Sequence, residues 1–187
     1  MSGGGFYDVN AMQKIAINLF YGWGYDFYRK ENQLRADDQL VRAKACELLG
    51  QAADGLARAE SDYRRRHLPP PTREKPFPDA RAIEGAQDLE RLGRDISAVK
   101  GRISAMPVPE NDRMTQRYRE EAATLAALVA CDEQLIGQAE TLRVALDGRD
   151  GDDVLEHMAL LREGVAALGE TLRQRALALS PVVPPHP

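Results

Sequence analysis

From Leu89 the apolar residues run on through Leu92, Ile96, Val99, Ile103 and Met106 in unbroken steps of three and four. That spacing commits the segment to a helix with one apolar stripe, because a 3.6-residue turn returns those side chains to one face. Such a stripe must be covered, so the chain has to supply partner helices. Three more stretches offer themselves. Leu125, Leu128, Leu135, Ala139, Leu142 and Leu146 keep the same rhythm, with Asp132 standing where an apolar residue is due. Val154, Met158, Leu161, Val165, Leu168, Leu172 and Leu179 form another series, and Leu34, Val41, Ala45, Leu48, Ala52, Leu56, Ala59 and Tyr63 a smaller-chained one. Sustained period-two alternation is missing, so strands are not expected.

Prolines divide these stretches at Pro69–Pro78, at Pro107 with Pro109, and at Pro181–Pro187. Each removes a backbone donor and turns its predecessor away from helical geometry. The pattern predicts helices over about 25–66, 79–106, 111–147 and 152–180, with a shorter, more aromatic helix near 8–21. Asp79, Asp112, Asp152 and Asp153 suit helix N-termini, and Arg64, Arg65, Arg66 and His67 suit a C-terminus. The Asp147–Gly151 connection is short enough to imply antiparallel neighbours. The expected fold is therefore all-α: an elongated, coiled-coil-like antiparallel four-helix bundle over 25–180, interrupted by a proline-rich linker at 67–78. An N-terminal aromatic segment (1–24) precedes it, and a disordered proline-rich tail (181–187) follows.

With 187 residues and a net charge of −4, the chain can bury a core. Its 29% charged residues argue against a membrane span, and no secretory signal pattern is expected at the N-terminus. Two cysteines, Cys46 and Cys131, both in helical sequence, point to small core residues in a reducing, cytoplasmic setting. The Arg64–Arg66 triplet belongs to a segment of only about +1, while residues 110–180 carry about −6. No basic face for nucleic acid is expected, and a solvated helix end explains the triplet.

Motifs that would announce catalysis or a cofactor are missing: no Glu-x-x-His pair, no Cys-x-x-Cys, no phosphate loop and no nucleophile elbow. Neither catalytic residues nor a metal or cofactor site is therefore assigned. The Asp147–Asp153 loop lacks the spacing of an EF-hand and suits a turn followed by capping acids. Asp132 is either a buried carboxylate in need of a partner or a boundary residue beside an inward Leu128, Cys131 and Leu135. The spacing favours the boundary position. His157 flanks the last stripe, where a solvated histidine is favoured over a ligand.

One segment departs from the rest. Phe20-Tyr21-Gly22-Trp23-Gly24-Tyr25-Asp26-Phe27-Tyr28 sets two glycines among six aromatics, and eight of the chain's eleven aromatics fall in the first 28 residues. The glycines predict a kink or a close backbone approach. Three roles compete for Phe20, Tyr21, Gly22, Trp23, Gly24, Tyr25, Phe27 and Tyr28. They are an aromatic mini-core at one end of the bundle, a surface for a protein partner, or the wall of a small-molecule pocket. The expectation is a non-enzymatic interaction protein (an adaptor, assembly factor or regulator), with a homodimer as one way to cover a projecting first helix. A ligand- or cofactor-binding bundle is the first alternative, and an enzyme without a recognisable motif, acting through residues such as Asp132 and His157, is the second.

Overall fold

The computed structural model describes residues 5–21, 34–106 and 122–179. A 3-10 turn at Gly5–Tyr7 leads into α1 (Val9–Tyr21), and the chain continues with α2 (Leu34–His67) and α3 (Ala80–Ser104). Then come α4 (Ala122–Leu146), the short α5 (Gly151–Glu156) and α6 (Met158–Leu179). All regular structure among the described residues is helical, so the protein is an all-α bundle.

The stripes read from spacing form its core. Leu89, Leu92, Ile96, Val99 and Ile103 of α3 are buried, as are Val41, Ala45, Leu48, Ala52, Leu56, Ala59 and Tyr63 of α2. Each fully buried leucine or isoleucine contributes about 1.5–3 kcal/mol relative to exposure. Alanines on α2 let α3 approach closely. The pair is antiparallel: Cys46 meets Ser104, Leu56 lies beside Gly93, and Tyr63 lies beside Gly85. Asp79 caps α3 by accepting from the Arg81 amide at 2.8 Å.

A second antiparallel pair forms from α4 and α6, joined through the tight turn expected at 147–151. Gly148 takes φ +67° there, a left-handed conformation in which glycine has no steric penalty. The two pairs stand side by side, with Gly55 of α2 beside Leu146 of α4 and Asp88 of α3 bound to Arg162 of α6 at 2.9 Å. At the α2 end of this assembly, Arg66 and His67 reach Asp150 and Asp152 at 3.0–3.4 Å. The basic last turn of α2 thus serves a tertiary contact as well as its own dipole.

Two elements differ from the expectation. The helix predicted over 152–180 breaks at His157, because its Nδ1 donates to the Asp153 carbonyl at 2.8 Å and the backbone opens to φ −101°, ψ 12°. The cap of α5 is Asp150, which accepts from the Asp153 amide, so Asp152 and Asp153 fall inside the first turn. The second difference is α4, which has no solvent face at its middle. Leu135, Ile136, Gly137, Gln138 and Ala139 are buried in succession, since α2 and α6 cover two sides and α1 covers a third. At Gly137 the α1 backbone comes so near that an added Cβ would sit 2.5 Å from the Met12 carbonyl oxygen. The predicted stretches 25–33 and 107–121, Asp112 among them, and the tail 181–187 lie outside the described residues.

Candidate functional site

Because α4 is enclosed, its polar residues must be satisfied inside the protein. In its N-terminal half, Asp132 is fully buried rather than at the boundary, which corrects the position favoured by spacing. The stripe had been read as one face, but α4 is covered on several. Arg175 of α6 answers the charge: its Nε donates to Asp132 Oδ1 at 2.7 Å and its Nη2 to Asp38 Oδ1 at 2.5 Å. One turn along α2, Arg42 Nη2 stands 2.8 Å from Asp38 Oδ2, and Nη1 donates to the Met106 carbonyl at 2.6 Å. The Arg42–Asp38 approach is an ion pair without a well-aimed hydrogen bond. Asp38 Oδ2 and Arg42 Nε consequently have no hydrogen-bond partner among the described residues.

Two arginines and two aspartates thus make a neutral buried quartet that ties α2, α4, α6 and the end of α3. Burial opposes the charge on Arg175, but Asp132 and then Asp38 outweigh it and hold the guanidinium above its ordinary range. Burial, then the Asp132 charge, pushes the neighbouring Cys131 thiol up, against a smaller lowering by Arg175. A thiol held protonated is a poor nucleophile. Glu133 is raised by burial, which a hydrogen bond with Gln13 of α1 partly offsets and the Asp132 charge reinforces. The quartet is suited to fixing helix register, and its engaged charges leave no acid–base pair free for chemistry.

Halfway along α4, Gln138 continues the polar seam. It accepts from Thr171 Oγ1 at 2.9 Å and donates from Nε2 to the Phe6 carbonyl at 3.1 Å. That bond, with the Phe6 ring seated against Gly164, draws the N-terminal turn into the bundle.

The far end of α4 is different. Between α1, the last turns of α4 and the start of α6 lies a groove of about 570 Å³. Ile15 and Leu19 form its α1 wall, Val144 and Ala145 its floor, and Leu160 and Leu161 its α6 wall, with Phe6 closing one side. Val144 is 56% exposed, a large apolar side chain left open although the middle of α4 is covered. Polar groups are few: Asn18, Glu140, Thr141, Arg149 and His157. Glu140 is taken up by Arg143, whose Nε and Nη2 bind its two oxygens at 2.7 and 2.8 Å. Thr141 gives its proton to the Gly137 carbonyl at 2.8 Å. The His157 ring holds its proton on Nδ1, since a carbonyl can only accept, and Nε2 of the neutral ring offers a lone pair.

Of the aromatic segment, Phe20 is buried in the core at 2% exposure, the mini-core role at that ring. Tyr21 ends α1. Gly22, Trp23, Gly24, Tyr25, Phe27 and Tyr28 lie outside the described residues. His157 lines the groove, and the Asp147–Asp153 loop serves as a turn and helix cap. Among the described residues no group of three or more His, Cys, Asp or Glu is placed to hold a metal ion, and no helix is long and apolar enough to cross a membrane.

Sequence reasoning passed over Arg175, although Met158, Leu161, Val165, Leu168, Leu172, Arg175 and Leu179 form a strict 3-4 series. A charge in register on α6 and another, Asp132, on α4 mark the pair. The groove left a fainter signal in adjacent apolar residues, Val144 with Ala145 and Leu160 with Leu161, that widen the stripes at one end.

No protein-family model matches this chain, and neither a curated protein nor a solved structure is found to be similar to it.

Proposed function

We propose that the protein is a binding protein that holds a small, largely apolar molecule in the groove over the last turns of α4. The observation that carries this is Val144: a large apolar side chain left 56% exposed on α4, lining a cavity of about 570 Å³. Small-molecule sites span roughly 300–1,000 Å³ and combine apolar walls with a few polar groups, the pattern found here. Free Cys46 and Cys131 support a reducing compartment, and we place the protein in the cytoplasm.

A neutral fluorophore such as N-phenyl-1-naphthylamine tests the proposal. Saturable enhancement at one dye per chain is expected, with loss of that signal in Val144→Glu. Absence of saturable binding, or binding indifferent to Val144→Glu, overturns it.

A second role, capture of a protein partner through the aromatic segment around Trp23, draws support from Tyr7, Val9 and Ile17. All three are exposed, Tyr7 on the 3-10 turn and Val9 and Ile17 on α1. Partner capture that is lost in Trp23→Ala with the helix content intact would favour it, and unfolding of that variant would count against it. A homodimer through the same surface is the simplest partner, to be checked by native mass spectrometry.

A further inference from the structure

We infer that the ligand of the groove is an amphipathic acid: an alkyl or similarly apolar body carrying one carboxylate, which Arg149 binds. The inference rests on the groove being a binding site and adds the chemistry of its ligand. Arg149 follows the Gly148 turn, is half-buried at the rim, and donates its backbone amide to the Leu146 carbonyl at 3.4 Å. Its guanidinium makes no ion pair and no side-chain hydrogen bond among the described residues.

The arginines around it do not share that state. Arg143 is bound to Glu140 and Asp147, Arg66 to Asp150 and Asp152, and Arg162 to Asp88. The acids that might have neutralised Arg149 are thus engaged elsewhere or, like Asp153 and Glu156, exposed and off the groove wall.

Charge on the wall decides the class of ligand. Glu140 is the one carboxylate lining the groove among the described residues, and Arg143 already binds both of its oxygens. A cationic headgroup would have to displace that bidentate pair. An anionic headgroup meets a planar guanidinium with its donor fork free, the geometry that suits a carboxylate. Beyond the headgroup, Ile15, Leu19, Val144 and Leu160 offer only apolar surface, so the rest of the ligand is apolar. Arg149 lies after α4 on a turn outside the core, so its replacement leaves the folded scaffold in place.

Competition against the bound neutral dye separates the two levels of the argument. Decanoate and 1-decanol have the same alkyl body and differ in headgroup charge. Decanoate is expected to displace the dye at a concentration about tenfold lower than 1-decanol, as one charge-assisted contact provides. In Arg149→Gln that ratio falls to within about twofold, each competitor being read against the dye affinity of the same variant. Equal potency of the two competitors in the native protein, or a preference for decanoate that survives Arg149→Gln, overturns the acid inference while the groove stands. Failure of the dye to bind the native protein removes the groove and the inference together.

Discussion

In its N-terminal half α4 buries a carboxylate among charged partners, whereas in its last turns it leaves a valine exposed on the floor of an apolar groove. Each choice runs against the usual distribution of polar and apolar groups. At the first end the anomaly is answered within the chain, since Asp132 finds Arg175 and Arg175 finds Asp38. At the second end nothing among the described residues answers Val144. Buried charge paired within the chain is a device of folding, because the misregistered alternative would strand an ion in the core. Apolar surface left uncovered in a concave site is a device of recognition. The two ends of one helix therefore separate what holds the protein together from what we propose it binds.

The largest effect should come from breaking the charged end. Arg175→Ala removes the guanidinium that binds Asp132 and Asp38, leaving Asp38 to Arg42 alone, and urea unfolding should show a loss of about 3–5 kcal/mol. Next is the wall that both ends share. Gly137→Ala drives a methyl group into the Met12 backbone, so stability should fall by about 1–3 kcal/mol. Amide exchange should quicken along α1, and dye binding should weaken because α1 forms one side of the groove. Thr171→Val removes the donor to Gln138 Oε1 and should cost about 1 kcal/mol in the same unfolding assay.

A smaller, pH-dependent effect belongs to Cys131. Its thiol is raised in the folded protein above the 9.0 of a free group, so the unfolded chain loses that proton first. The contribution is complete below pH 9 and fades as pH rises through the higher folded value. Stability measured from pH 8 to pH 10.5 should therefore decline, and Cys131→Ser should make the decline shallower, with the shift of Tyr63 (also upward) accounting for part of what is left. Val144→Glu should be the mildest for the fold, within about 0.5 kcal/mol. A large loss of stability there would mean that the groove end is core after all, and the contrast would collapse.

Much of the fold was legible because it rests on periodicity. The steps from Leu89 to Ile103 describe a helix with one buried face, and α3 has one. Asp132 stands in the stripe of its own helix and was set at the boundary because a lone carboxylate is seldom buried; its partner Arg175 lies 43 residues on, beyond the reach of periodicity. α4 is covered on further sides by α1, whose own sequence gives no hint that Met12 will lie on Gly137. His157 was placed on the flank of its stripe, yet the break it causes depends on a side-chain bond to the Asp153 carbonyl that spacing does not encode. Arg149 was invisible for another reason: its interest lies in the pairings that its neighbours make and it does not.

The bond from Gln138 to the Phe6 carbonyl closes a loop of 132 residues. Phe6, Met12, Ala16 and Phe20 therefore leave the ribosome well before α4, on which α1 packs. At about 5–20 residues per second, their docking surface on α4 follows them by on the order of ten seconds. For that interval the nascent chain carries the apolar face of α1 without its surface on α4. The α2–α3 and α4–α6 pairs can each assemble from contacts nearer in sequence, whereas the Arg175–Asp38 bond, which spans 137 residues, and the docking of α1 on α4 wait for the later helices. The groove, which needs α1 for its wall, comes into being only in the finished molecule.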